Sequence, residues 1–226
     1  MAKISCIIPT YNEESRIKNV LSVISMHPLI DEVIVVDDGS KDKTKEIVAS
    51  YKNVKLIVHT INQGKSRAIY DGCRAALGEF LFFLDADLVG LTEKSVTDLV
   101  GPVLSGNADV SISYRGNSPR LWKIVGFDYI SGERVFRKSL IEQHLDQILT
   151  LPKFGLEVFL NSLIIKSKAR VRIVLWPDVS SPFKHAKYGV WKGIKGDIGM
   201  MKDIFTTFSF YEPAFQIIRL RKLRVK

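Results

Sequence analysis

The stretch Phe80-Leu81-Phe82-Phe83-Leu84-Asp85-Ala86-Asp87 runs an apolar segment into two acids set one residue apart. Five successive apolar residues read as a strand buried on both faces, the pattern of a parallel sheet covered by helices. The charges begin where that strand leaves the core. Residues i and i+2 point the same way on an extended or turning backbone, so Asp85 and Asp87 can face one point beyond the strand's carboxyl end. Open α/β sheets bind their ligands at that edge. Two carboxylates so close repel each other unless a cation sits between them. A hard divalent ion meets that need and leaves positions for phosphate oxygens. An isolated Asp-x-Asp is commonly a turn, and it is the preceding hydrophobic strand that gives this one a site reading.

Upstream the pattern repeats. Ile4 to Pro9 reads as a first strand, and Thr10-Tyr11-Asn12-Glu13-Glu14 as the start of a helix to about Ile24, with Asn12 as its N-cap. Val33 to Val36 is a second buried strand that delivers Asp37 and Asp38 to its carboxyl end, ahead of a helix over Lys43 to Tyr51. Val54 to His59 is a third strand, and Lys65 to Leu77 a helix that Gly78 stops. Strands alternating with helices imply an α/β domain: a mostly parallel central sheet, right-handed crossovers and helices on both faces. The first strand lacks a Gly-x-Gly-x-x-Gly turn, and no P-loop signature occurs. Phosphates bound here would therefore need a metal and basic side chains to balance their charge.

At 226 residues, 46% hydrophobic and 25% charged, the chain suits one α/β domain with a full core, or one such domain plus an appendage. Cys6 falls in a predicted strand and Cys73 in a predicted helix, which argues against structural zinc or a disulfide framework and for a reducing compartment. Neither a signal peptide nor an apolar run of about eighteen residues is expected, so nothing here should span a bilayer. The net charge of +9 is unevenly placed: residues 1–150 hold 18 Lys and Arg against 19 Asp and Glu, and residues 151–226 hold 15 against 5. A phosphate-rich ligand, an anionic membrane surface or a nucleic acid would each suit that basic third.

Five motifs in order carry a resemblance: Pro9-Thr10-Tyr11-Asn12-Glu13, Val36-Asp37-Asp38-Gly39-Ser40, Asn62-Gln63-Gly64-Lys65 through Ala68 and Gly72, Leu84-Asp85-Ala86-Asp87, and Ser131-Gly132-Glu133-Arg134. Together they resemble the family 2 glycosyltransferases with the GT-A fold, and within them the dolichyl-phosphate mannose synthase and polyprenyl-phosphate glycosyltransferase branch. The resemblance implies an inverting transfer of a sugar from a UDP- or GDP-sugar donor, assisted by Mg2+ or Mn2+. It assigns Pro9, Tyr11, Glu13, Val36 and Asp38 to the nucleoside, with Asp38 facing the base. Asp85 and Ala86 would line the donor, and Asp87, with Asp85 beside it, would hold the metal. Lys65, Arg115, Arg134, Lys184 and Lys187 would supply cations around the donor phosphates, Arg134 bidentately. Two departures stand out: Val89 where the branch commonly has a metal-binding Gln, and Glu133 where relatives often have an aromatic residue.

Further along, Val110 to Arg115 and Val171 to Trp176 read as strands, with Arg115 either a donor contact or a surface charge at a strand end. Glu157 is the single acid of an apolar helical segment over Gly155 to Leu160. For a hydroxyl acceptor it is the candidate base; an anionic lipid phosphate needs none, and Glu157 would then position a neighbouring cation. Residues 189–226 read as a basic appendage to a domain over 1–188. Trp191, Ile194, Ile198, Met201, Ile204, Phe205 and Phe208 recur at helical spacing, as in a helix lying in a membrane interface or packing on the sheet. Arg219, Arg221, Lys222, Arg224 and Lys226 follow, a tail that anionic lipid would attract. The combined expectation is a cytoplasmic enzyme, peripheral at the membrane face, that glycosylates polyprenyl phosphate. The alternatives are a saccharide or other hydroxyl acceptor, and a catalytically inert membrane- or nucleic-acid-binding module. Nucleic acid fits poorly, since the aromatics form one helical face and not a stacking platform.

Overall fold

The computed structural model describes residues 3–118, 122, 125–151, 155–181 and 211–225. Its centre is a seven-stranded sheet in the order β3-β2-β1-β4-β6-β5-β7. The strands are β1 (Ile4–Thr10), β2 (Glu32–Asp37), β3 (Val54–Val58), β4 (Phe80–Phe83), β5 (Val110–Arg115), β6 (Arg134–Arg137) and β7 (Val171–Trp176). All pair in parallel except β6, which lies antiparallel between β4 and β5.

β4 is buried on both faces, as its unbroken apolar run predicts. Leu81 and Phe83 join one core while Phe80 and Phe82 join the other. β1 and β2 divide in the same alternating way, Ile7, Ile34 and Val36 to one side and Cys6, Ile8, Val33 and Val35 to the other. The second core is covered by α1 (Ile17–Ile24) and α4 (Glu93–Leu104). α1 buries Ile17, Val20, Leu21 and Ile24, the i, i+3, i+4, i+7 stripe of an amphipathic helix. α4 begins at Thr92, whose side chain accepts from Ser95 N at 3.1 Å as an N-cap. The first core is covered by α3 (Lys65–Ala75), α7 (Gly155–Lys166) and α8 (Tyr211–Lys222). α2 (Thr44–Ala49), α5 (Ser139–Glu142) and α6 (Leu145–Ile148) complete the described helices. Cys6 and Cys73 are both buried free thiols.

Two expectations are corrected. The helix after β1 starts at Ile17, not near Thr10, because Asn12 takes a φ of +53° and residues 12–14 dock onto the turn before α2 instead of coiling. Glu13 N donates to Thr44 Oγ1 at 2.8 Å, Asn12 Oδ1 accepts from Lys41 N at 2.8 Å, and Glu14 Oε2 from Lys43 N at 3.0 Å. Of the C-terminal appendage, the described residues 211–225 pack onto the domain and do not stand apart from it. Leu220 is 1% exposed in the first core, and residues on either side of Arg224 pair with Val171 of β7. Tyr129 Oη donates to Gln216 Oε1 at 2.7 Å. The amphipathic stretch from Trp191 to Phe208 lies outside the described residues.

α3 packs so closely on β1 that a Cβ at Gly72 would meet Ile7 Cγ2 at 2.4 Å. Gly72→Ala should therefore destabilise the fold by roughly 1–3 kcal/mol through overpacking, despite the better helix propensity of alanine, as read from the midpoint of urea unfolding.

Candidate active site

Parallel pairing brings the carboxyl ends of β1, β2 and β4 to one edge of the sheet, with Thr10 beside Asp37 and Ile7 beside Phe83. β6 runs the other way, Arg134 opposite Phe83, so the loop that precedes β6 reaches the same edge. α3 opens there too, at Lys65 behind Gly64, whose φ of +94° is rare for L side chains. Glu157, in the first turn of α7, comes in from the covering layer.

These elements meet on one ammonium. Lys65 Nζ donates to Asp85 Oδ1 at 2.9 Å and to Glu157 Oε1 at 3.1 Å. Gly132 is pressed against the pair: a Cβ there would lie 2.9 Å from both Asp85 carboxylate oxygens and 3.0 Å from Lys65 Nζ. Burial works against the Lys65 charge, but Asp85 and Glu157 outweigh it and hold the ammonium above its ordinary pKa. Burial likewise pushes Asp85 up, and Lys65, Arg115 and a hydrogen bond with Glu133 bring it below the usual carboxylate range.

Behind Asp85 lies a second ionic cluster. Glu133 is fully buried and accepts from Ser113 Oγ at 2.7 Å, Ser131 Oγ at 2.8 Å and Arg115 Nη1 at 3.2 Å. Burial raises its pKa against the pull of Arg115, and the Asp85 charge adds to the rise. Arg115 Nη2 also lies 3.5 Å from Asp128 Oδ2, which accepts from Ser118 Oγ at 2.7 Å. Glu133, a departure in the sequence, is thus the counter-ion of Arg115. The alternation Ser111, Ser113, Arg115, which sets polar residues on one face of β5, was the signal for it. Asp128 and Asn161, equally part of this buried polar layer, carried no such signal.

A cleft of about 350 Å³ opens above these groups. Pro9, Tyr11, Glu13, Asp38, Lys65, Asp85 and Ala86, all predicted for the donor, line it together with Asp87, predicted for the metal. Tyr11 is 42% exposed and forms part of the cleft wall. Asp38 is on the wall, with its carboxylate accepting from His59 Nδ1 at 2.7 Å, Gln63 N at 2.9 Å and Gly64 N at 2.7 Å. Val36 and Arg134 are corrections. The Val36 side chain is fully buried in the first core, beside Gly72, so only its main chain is near the edge. Arg134 is also fully buried, donating to Ser131 O at 2.7 Å, Asn161 Oδ1 at 2.7 Å and Tyr129 O at 3.1 Å. Its guanidinium braces the loop from beneath, and burial lowers its pKa. Lys184 and Lys187 lie outside the described residues.

The chain leading toward them is tied to the same edge. Val89 and Ser180 exchange backbone hydrogen bonds at 2.8 and 3.0 Å, and Ser181 Oγ accepts from Arg115 Nη1 at 2.7 Å. The Val89 side chain is 46% exposed and has no atom to ligate a metal. Among the described residues no group of three or more His, Cys, Asp or Glu is arranged around a metal position. A hard cation bound through one or two carboxylates and completed by phosphate oxygens needs no such group, and Asp85 and Asp87 on one cleft wall fit that donor set.

The family model for glycosyl transferase family 2 matches residues 5–125, more than half of the chain. The chain belongs to glycosyl transferase family 2. Dolichyl-phosphate beta-glucosyltransferase ALG5A of Trichomonas vaginalis is 38% identical over 97 residues, covering 37% of this chain and 30% of that protein. Glucosyl-3-phosphoglycerate synthase of Mycobacterium tuberculosis is 35% identical over 112 residues, covering 46% and 34%. The chain thus spans about a third of the length of the curated relatives it matches. A crystal structure of the mycobacterial enzyme with Mn2+, uridine diphosphate and phosphoglyceric acid superposes with a TM-score of 0.65 at 22% identity, over 88% of this chain and 78% of that one. This family 2 domain has the expected GT-A fold.

Lys65→Met would leave Asp85 and Glu157 facing each other without their cation. With the ammonium partly in solvent, the expected loss at neutral pH is about 1 kcal/mol. Asp85, its folded pKa lowered, contributes stability above its unfolded pKa and loses it as pH falls through the folded one. The deficit of Lys65→Met should therefore shrink on acidification, as thermal unfolding between about pH 7 and pH 3 would record.

Proposed function

We propose that this domain transfers a sugar, with inversion, from a UDP- or GDP-sugar to a polyprenyl phosphate at the cytoplasmic face of a membrane, with Mg2+ or Mn2+ bound. The observation that carries the reading is the single cleft that gathers Tyr11, Glu13, Asp38, Asp85 and Asp87 at the ligand edge of the sheet. Tyr11 offers an exposed ring for a base to stack on. Asp87, with Asp85 adjacent, would hold the metal, which neutralises charge developing on the departing nucleoside diphosphate. Mn2+ and uridine diphosphate in the solved mycobacterial relative support both assignments. Lys65 keeps Asp85 ionised and oriented, while Arg115 adds positive charge beside Asp85 and Asp87.

The acceptor reading rests on Glu157. Its carboxylate is paired with Lys65 at 3.1 Å, a bond that suits positioning a cation better than taking a proton. A phosphate acceptor is already anionic and needs no base. The dolichyl-phosphate relative supports the same choice. No helix among the described residues is long and apolar enough to cross a membrane. On α8, Phe215 and Ile218 face outward beside Arg219, Arg221 and Lys222, a surface suited to an anionic bilayer. The second reading is a hydroxyl acceptor, favoured by the nearness of Glu157 to the cleft and by relatives named for phosphoglycerate and poly-N-acetylglucosamine.

Calorimetric titration with UDP and with GDP, each with and without Mn2+, should give metal-dependent binding of one nucleotide that Asp87→Asn abolishes. Binding of neither would sink the transferase reading in favour of an inert surface-binding module. In a labelled-sugar transfer assay to polyprenyl phosphate, Glu157→Gln should stay within about tenfold of wild type. Transfer to a hydroxyl acceptor in place of polyprenyl phosphate, lost by about 10² to 10⁴ in Glu157→Gln with nucleotide binding intact, would make Glu157 the base and favour the second reading.

A further inference from the structure

His59 has no part in the motifs, yet it sits behind the cleft wall, bonded to Asp38. It follows β3, is 8% exposed, and lies between two carboxylates: Nδ1 is 2.7 Å from Asp38 Oδ1 and Nε2 is 2.9 Å from Asp71 Oδ2. Both partners are carboxylates, so the ring lies between two acceptors. Asp71 is shared with Arg67, whose Nε is 2.7 Å from the same Oδ2. Asp38 in turn accepts from Gln63 N and Gly64 N, the turn that opens α3 immediately before Lys65. That turn has little slack on its other side, where a Cβ at Gly39 would lie 2.8 Å from Ile61 C. Asp38 and Gly64 themselves line the donor cleft.

Resting on the donor-cleft reading above, we propose that His59 is a positioning residue for the nucleotide: through Asp38 it fixes the 62–64 turn that forms one wall of the cleft. Without the ring, Asp38 and Asp71 face each other across the space it filled, and the Asp38 carboxylate is released to turn into the cleft toward an anionic ligand. Like charges so placed push the end of β2 away from α3. The effect falls on donor binding, since His59 touches the wall and not the Asp85–Lys65–Glu157 group.

The test compares wild type, His59→Leu and His59→Asn by UDP and GDP titration with Mn2+ and by donor kinetics, well below each protein's melting temperature. His59→Leu, which removes both contacts, should weaken nucleotide binding and raise donor KM by about tenfold, the loss of a charge-assisted bond, with kcat within about twofold. His59→Asn keeps an N–H toward Asp38 and should lose only about threefold. A residue that merely stabilises the fold would lower the melting temperature of both variants and leave affinity unchanged. Wild-type affinity in His59→Leu overturns the proposal, as does wild-type affinity in His59→Asn should the leucine variant not fold. A wild-type protein that binds neither nucleotide refutes the donor-cleft reading itself, and this proposal falls with it.

Discussion

A lysine ammonium held between two carboxylates from different layers is the constraint on which the site depends. Asp85 arrives just past the carboxyl end of β4, Glu157 on a covering helix and Lys65 at the start of another. None of these elements would present its charge at this point alone. Removing one member leaves the others partly buried without compensation, so the three positions are energetically one unit. Gly132 fits because nothing larger than hydrogen leaves room for both the carboxylate and the ammonium.

Beneath that unit the protein buries further charge. Asp128, Glu133 and Arg134 are all fully buried, and Arg115 is nearly so. Serine hydroxyls, an asparagine and backbone carbonyls add to the hydrogen bonding that ion pairing alone would leave short, although Arg115 Nε is buried without a partner. Such a layer costs desolvation, and the return is rigidity of the loop 128–134 beneath the cleft. Arg134 illustrates the difference between a motif and a contact: its position is at the site, but its side chain works from below.

Much of this was legible in the residues. The apolar runs Phe80–Leu84 and Val33–Val36 gave the central strands, because burial on both faces leaves no alternation to misread. The acids at their ends placed the cleft, since strand direction alone decides which edge they reach. The helix onset at Ile17 was not legible, because Asn12 is a good N-cap by type and its left-handed φ is set by contacts with residues some thirty positions away. β6 was hidden for a related reason. Four residues flanked by charge carry no period of their own, and this strand exists because β4 and β5 leave a gap for it. The inward turn of Arg134 and the pairing of Glu133 with Arg115 likewise depend on what arrives from α7 and β5.

The antiparallel insertion of β6 also bears on how the chain is made. β1 to β4 assemble from neighbouring crossovers, but the second edge of β4 is closed only when residues 134–137 have emerged. Until then a nascent chain carries a bare edge of four apolar residues, Phe80 to Phe83, open to pairing with another copy. The stretch that the family model matches, residues 5–125, stops before that closure. A fragment cut to those limits would expose the strand on which the whole site is built.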